Sequence, residues 1–277
     1  MFFNNLNIKP GLYVVSTPIG NLKDISKRAV EVLNNSNYIL CEDTRVTFKL
    51  LKYLNIKKKL VSYYSFNEKK KINGVIKSLK NRNILSLVCD AGTPTLSDPG
   101  NILISKCYDL NINVYPIPGP SAITCAISIS GFQGNFYFSG FLPKKKKEIE
   151  KYLNKLKIVK GNLVFFFPAR DLEKNSRFFL NIFPNSNFLI AREMTKIYET
   201  YIRDKMENLK KYINANNKGE TTFIINNILD EKKTINLDQE IRLLLGKMSS
   251  KDISEYLSNK LEIKRKSIYQ RIIKLNE

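Results

Sequence analysis

The sequence predicts an α/β protein: a parallel sheet with helices on both faces, then a second, mixed α/β domain, then a small helical tail. Three observations carry this. Short apolar strands alternate five times with helical periodicity in the first half, which calls for parallel pairing through helical crossovers. The Gly, Pro and carboxylate clusters of that half all follow strands. The 277 residues exceed one ordinary domain, and 43% hydrophobic content supplies real cores.

The first strand is Leu12–Ser16, rich in β-formers, and it ends in the turn Thr17-Pro18-Ile19-Gly20-Asn21. Asp24 is placed to cap a helix over Ile25–Leu33, where Ile25, Ala29, Val32 and Leu33 share a face. Tyr38–Cys41 is the second strand, followed by Glu42-Asp43-Thr44-Arg45 and a helix to about Leu54. Leu60–Tyr63 and a basic helix to about Lys80 come next, then the strand Ile84–Cys89 and the polar loop Asp90–Gly100. A helix over Ile102–Leu110, a strand over Asn113–Pro116, and the turn Pro118-Gly119-Pro120-Ser121 opening the helix Ala122–Ser130 complete this half. Beyond it, strands are expected at Phe136–Gly140, Leu163–Phe167, Phe188–Ala191, Ile197–Ile202 and Thr221–Asn226. Helices are expected at Lys144–Lys157, Leu172–Phe183 and Met206–Ala215. A charged linker follows Asn227, then helices over Ser249–Leu261 and Lys266–Leu275. Domain boundaries are drawn at 1–117, 118–227 and 228–277.

Composition narrows the chemistry. There is no histidine, so a Ser-His-Asp triad, a Cys-His dyad and an HExxH zinc site are all excluded. A general base must be a carboxylate, Lys, Tyr, Cys or the substrate itself. Cys41, Cys89, Cys107 and Cys125 form no CxxC pair and read as buried free thiols of a reducing compartment. No metal site is expected. With no basic leader before an apolar stretch and no long apolar run, a cytoplasmic location is expected. The excess of 46 Lys and Arg over 25 Asp and Glu, a net charge of +21, favours a polyanionic partner, nucleic acid ahead of a membrane surface. A Lys-rich composition alone produces the same number. The run Lys144–Lys147 fits a solvated helix start at least as well as an RNA contact, and the basic helix from Lys264 fits either an RNA contact or a solvated face.

GxGxxG after the first strand and GxxxxGK[ST] are both absent. In their place, Asp90–Gly100 holds two glycines, two prolines and two carboxylates, suited to close backbone approach and to accepting from an ammonium or ribose hydroxyls. In a parallel sheet such strand-end loops gather at one edge, where ligands bind.

Six ordered segments carry a resemblance: Thr17-Pro18-Ile19-Gly20-Asn21-Leu22, Cys41-Glu42-Asp43-Thr44-Arg45, Asp90–Gly100, Pro118-Gly119-Pro120-Ser121-Ala122, Gly140-Phe141-Leu142-Pro143 and Arg192-Glu193-Met194-Thr195-Lys196. Together they resemble the ribosomal RNA small subunit methyltransferase I family of the tetrapyrrole methylase-like superfamily. The resemblance implies two α/β domains with S-adenosylmethionine in the cleft between them. It also implies a homodimer and methyl transfer to a cytidine ribose 2′-oxygen of 16S rRNA in the small ribosomal subunit. It further implies that Asp90, Ala91, Gly92, Thr93, Pro94 and Ser97, with Gly119, Pro120, Ser121 and Ala122, line the cofactor site, with Pro18 flanking it. Glu42 and Asp43 are the candidates for base or hydroxyl orienter, and Arg45 and Lys196 for positioning RNA; an ion-pair network is the competing account of the Glu42–Arg45 cluster. Two positions depart from the family. Its usual Glu before Ser-Pro-His-Arg gives way to Phe166-Phe167-Pro168-Ala169-Arg170-Asp171, which leaves backbone groups and an apolar wall. The usual Gly after the Arg downstream of the REMTK segment is Asp204, after Arg203.

Overall fold

A computed structural model describes residues 8–213, 218–227, 237–261 and 264–276. The chain divides into two compact units, Met1–Asn227 and Ile228–Glu277. The first unit holds two five-stranded sheets.

The first sheet is built from β1 (Gly11–Val15), β2 (Tyr38–Cys41), β3 (Lys59–Ser62), β4 (Ile84–Val88) and β5 (Val114–Ile117), all parallel, in the order β3-β2-β4-β1-β5. Its helices are α1 (Lys27–Asn35), α2 (Thr44–Tyr53), α3 (Glu68–Lys80) and α4 (Asn101–Asp109). Tyr13 and Val15 pack with Ala29, Val32, Leu33 and Leu51 on one face, while Leu12, Leu85 and Leu87 pack with Val75, Leu79 and Leu103 on the other. Both faces are therefore buried, which is why the strands read as continuous apolar runs. Asp24 does not cap α1. It closes a 3-10 turn over Leu22–Asp24, and Ser26 caps the helix by accepting from the Ala29 N–H at 3.1 Å.

The chain leaves β1 toward β2 and leaves β4 toward β5, in opposite directions across the sheet, yet β1 and β4 are neighbours. That is the topological switch point, where strand-end loops part and leave a crevice.

α5 (Ala122–Ser130) leads to the second sheet, formed by β6 (Phe136–Phe141), β7 (Gly161–Pro168), β8 (Asn187–Arg192), β9 (Thr200–Lys205) and β10 (Glu220–Asn227). The order is β6-β7-β10-β8-β9, with only β6 and β7 parallel. Its side chains alternate as pleating requires. Leu163, Phe165, Phe167, Phe188, Ile190, Phe223 and Ile225 face α6 (Lys146–Leu156) and α7 (Leu172–Ile182). Phe179 and Phe223 stack there with ring centres 4.7 Å apart. Val164, Phe166, Leu189, Ala191 and Ile224 face α5. Lys144, Lys145, Lys146 and Lys147 are exposed at the start of α6.

Three expectations are corrected. The strand expected at Ile197–Ile202 begins at Thr200, because Glu193 and Thr195 adopt left-handed backbone and the Glu199 carboxylate accepts from the Thr195 N–H, folding 193–199 into a turn. Met206–Tyr212 is a 3-10 helix, not an α-helix; Asp204 accepts from Asn208, Tyr212 and the Lys205 N–H and tightens the segment, and residues 214–215 lie outside the described residues. Three cysteines are buried as expected, but Cys125 is half-buried on α5.

The second unit contains α8 (Leu237–Leu244), α9 (Ser250–Leu261) and α10 (Arg265–Asn276) around Ile241, Ile253, Leu257, Ile268 and Ile272. The stretch expected as linker thus contains α8, while 228–236 lies outside the described residues. On α10, Arg265 pairs with Glu255 and Arg271 with Asp238, leaving Lys266 and Lys274 exposed on the helix and Lys264 just before it. Among the described residues no helix is long and apolar enough to cross a membrane.

Candidate active site

The loops after β1, β4 and β5 are fastened to one another at the switch point. Thr17 and Gly92 exchange backbone hydrogen bonds of 2.8 and 3.0 Å. Ser16 and Thr93 hydroxyls meet at 3.0 Å, and Thr93 Oγ1 donates to Pro120 O at 3.2 Å. Four positions of the β4 loop have positive φ: Gly92, Thr95, Ser97 and Gly100. At Thr95 and Ser97 that conformation is costly, and such strain persists where the surroundings impose it, typically at functional sites. Gly92, at φ +88°, is one position where only glycine is unstrained.

The second sheet closes the crevice from above through the turn after β8. The Asn21 N–H donates to Thr195 Oγ1 at 3.0 Å. A Cβ on Gly20 would lie 2.6 Å from Thr195 Oγ1 and from Lys196 Cγ, so glycine is required for this approach.

The cleft between these walls measures about 410 Å³, within the range of small-molecule sites. It brings together nine of the fifteen residues expected from sequence: Glu42, Asp90, Ala91, Gly92, Thr93, Ser97, Ser121, Ala122 and Lys196. The other six stand behind or beside it. Pro18 and Pro94 are buried within their loops. Gly119 packs on Ser16 and Pro120 accepts from Thr93. Asp43 caps α2, accepts from the Arg45 N–H at 2.8 Å and grips the Arg45 guanidinium at 2.6 Å.

Ile19, Leu96, Asp98, Phe141 and Met194, which lie in the segments that carry the resemblance but without an individual site role, also line the cavity, as do Glu220, Thr221 and Thr222, which sequence reasoning did not single out. Asp98 was legible as the second carboxylate of the β4 loop. The β10 threonines carry no local signal; they arrive by pairing with β7, where Thr222 stands opposite Phe166. The altered Phe166–Asp171 stretch supplies an apolar wall as expected. Phe166 and Phe141 meet edge-on beside the cavity, and Phe167 and Pro168 also line it, although Phe167 belongs to the opposite core.

The electrostatics separate the carboxylates. Burial raises the Glu42 carboxyl above its ordinary value, and Asp98, Asp90 and Asp43 add to the rise. Burial likewise raises Asp90 and Asp98. Asp43 moves the other way: the hydrogen bonds from Arg45 hold it at about 2. Across the cavity, Lys196 Nζ donates to Glu193 Oε1 at 2.8 Å, and the Glu220 N–H donates to the same oxygen at 3.0 Å. Burial works against the Glu193 charge, but these donors together lower its carboxyl.

The residues present suit a nucleoside with a cationic amino-acid tail. Apolar surface from Ile19, Leu96, Phe166 and Met194 adjoins carboxylates that lack full neutralisation, and Gly92 admits close backbone contact. The Ala122 and Ile123 N–H groups at the start of α5 add donors with no intrahelical partner.

Residues 11–210 match the family Tetrapyrrole (Corrin/Porphyrin) Methylases. A relative from Rickettsia prowazekii, named ribosomal RNA small subunit methyltransferase I, is 40% identical over 268 residues, 95% of this chain and 96% of its own. One of the same name from Thermotoga maritima is 40% identical over 216 residues, 77% of this chain and 97% of its own. Among solved structures, diphthine synthase aligns with a TM-score of 0.59 at 14% identity, over 77% of this chain and 89% of its own. Uroporphyrin-III C-methyl transferase from Thermus thermophilus, in complex with S-adenosyl homocysteine, aligns at 0.53 and 12%, over 77% and 96%. At such identities these two establish the fold. The match along the chain and the relatives at 40% identity establish more: this chain belongs to the ribosomal RNA small subunit methyltransferase I family, whose methyl donor is S-adenosylmethionine.

Proposed function

We propose that this chain methylates the ribose 2′-oxygen of a cytidine in 16S rRNA of the small ribosomal subunit, in the cytoplasm and as a homodimer. The observation that carries the chemistry is Glu42, a carboxylate in the cavity whose proton affinity is raised by burial and by neighbouring acids. S-adenosylmethionine, when bound, supplies a methyl group on an electrophilic sulfonium. The protein's remaining tasks are to align one hydroxyl and take one proton.

Glu42 is the better base of the two candidates. Asp43 spends its oxygens on Arg45 and on the cap of α2, and its depressed pKa makes it a poor proton acceptor. Lys196 donates to Glu193 and serves as a cation beside the cavity, suited to a phosphate or a developing alkoxide. Asp90 and Asp98 suit the donor's hydroxyls and ammonium. Arg45, its side chain 86% exposed, is available to RNA phosphate outside the cavity. The relatives' shared name and the net charge of +21 support RNA over a small-molecule acceptor.

The test supplies radiolabelled methyl donor with small ribosomal subunits, bare 16S rRNA, or a tetrapyrrole acceptor, followed by alkaline hydrolysis of labelled RNA. Label in an alkali-resistant dinucleotide containing cytidine is the expected result. Label in the tetrapyrrole alone, or in an alkali-labile position, would refute it.

A further inference from the structure

Tyr63 through Glu68 follow β3 at the same strand-end edge as Glu42–Arg45, because β2 and β3 are parallel neighbours with Cys41 opposite Ser62. This loop presents Phe66 at 96% exposure, the most exposed large apolar side chain among the described residues, with Tyr64 beside it, ring centres 6.3 Å apart and edge to face. The exposure does not come from a loose segment. Asn67 Oδ1 accepts from the Tyr64 N–H at 2.9 Å, and the Asn67 and Glu68 N–H groups return to Tyr64 O. Lys71 Nζ donates to Ser62 O at 2.6 Å. Below, the buried Glu68 carboxylate accepts from Tyr63 Oη and from the Leu103 N–H. The loop is held from inside, and the rings are held outward.

Cations interleave with these rings. Lys69 and Lys70 are exposed at the start of α3. On α2, Arg45, Phe48, Lys49 and Lys52 are exposed at a spacing of i, i+3, i+4 and i+7, one helix face, with Phe48 at 61%. A lone exposed ring needs no explanation, but exposed rings interleaved in the chain with exposed cations are the kind of surface that binds unpaired nucleic acid: rings stack on bases of any identity and cations follow the phosphates. The loop shares its strand-end edge with Glu42, the cavity residue that follows the neighbouring strand β2.

We propose that Tyr64 and Phe66, flanked by Phe48, Arg45, Lys49, Lys69 and Lys70, form a stacking platform for the unpaired bases next to the target nucleotide. The assignment of the target to RNA rests on the function proposed above; the platform itself is tested without turnover. Anisotropy titrations use a labelled single-stranded RNA of about 12 nucleotides, a length within the ~4–16 that one such surface spans, and a fully paired duplex. Phe66→Ala should weaken single-strand binding by roughly tenfold, since stacking one base is typically worth a factor of about 5 to 150. Duplex binding and calorimetric S-adenosylmethionine affinity should stay within twofold, and Phe66→Trp should restore the single strand. Lys69→Gln with Lys70→Gln should instead flatten the salt dependence, by about 0.7 in slope for each phosphate that is no longer neutralised. Wild-type affinity in Phe66→Ala overturns the platform. So does a change of sedimentation from dimer to monomer in Phe66→Ala, which assigns the ring to contact between copies. Failure of methyl transfer to ribosomal subunits with these binding results intact removes the proposed function and leaves the platform standing.

Discussion

The two walls of the cavity are built from opposite materials. The first sheet contributes Glu42, Asp90 and Asp98 on loops at its strand ends, carboxylates whose pKa values all rise on burial. The second contributes mainly apolar surface, Phe141, Phe166, Ala191 and Met194, from strands and a turn; Glu193 and Lys196 pair with each other there, and Glu220 adds one carboxylate. A parallel sheet aims its loops and helix starts at a ligand, whereas an antiparallel region offers a pleated face of alternating side chains. On the proposed function, proton chemistry falls to the first wall and binding surface to the second, and variants on each wall separate rate from affinity.

The largest effect is expected at Glu42. Glu42→Gln keeps shape and removes the base, so single-turnover rates on saturating small ribosomal subunits should fall by ~10²-fold or more. Asp43→Asn, which can still cap α2, should stay within several-fold. Equal losses in both would dissolve the distinction drawn from their opposite pKa shifts. The same distinction fixes a pH dependence. A base must be ionised, and the Glu42 carboxyl sits above its ordinary 4.5. Single-turnover rates should therefore fall with decreasing pH around a midpoint above that value; a midpoint at or below it removes Glu42 from the role.

Next in size, Gly92→Val forces a branched residue into φ +88° beside the Thr17 bridge. S-adenosylmethionine affinity should drop by roughly 10²-fold while circular dichroism stays native; calorimetry showing an unchanged Kd in the folded variant excludes this loop from the site. On the facing wall, Phe166→Ala should raise the donor Kd by about tenfold, because apolar burial worth ~1–2 kcal/mol goes with the ring, and the saturated rate should be unchanged. A lower saturated rate at the same Kd would reverse the division between the walls.

The smallest effect is on stability. Asp98 has its pKa raised by burial, so its ionisation opposes folding. A raised carboxylate contributes stability fully below its unfolded pKa and loses it as pH rises through the folded value. Asp98→Asn should therefore raise the melting temperature at pH 7 relative to wild type, and the gain should vanish toward pH 3. A lower melting temperature at pH 7 would show that Asp98 is neutralised by a partner.

Strands and helices of the first sheet were legible because both faces are buried and each element ends in turn chemistry. What escaped the sequence depends on contacts, some distant along the chain and some local, that hydropathy and capping rules do not register. α8 hides in a charged stretch because its apolar positions gain meaning only against Ile253, Leu257 and Ile268. The start of β9 shifted because Glu199 reaches back to the Thr195 N–H, a side-chain contact that hydropathy does not register. Asp24 and Ser26 are both competent caps, and only the 3-10 turn at Leu22–Asp24 decides between them. In the site, the glycine and carboxylate loops announced themselves, while Thr221 and Thr222 enter through strand order alone.

The contact between Asn21 and Thr195 spans 174 positions of the chain. At ~5–20 residues per second, synthesis reaches Thr195 roughly 9–35 s after Asn21 has been made. All five strands of the first sheet, and every carboxylate of its wall, exist before the roof that covers them. The first sheet is therefore complete, with its acids held by its own packing, before the covering wall exists. A ligand that fills the cavity meets its full lining only after Thr222 has been made, so its binding reports that both sheets of the first unit are present.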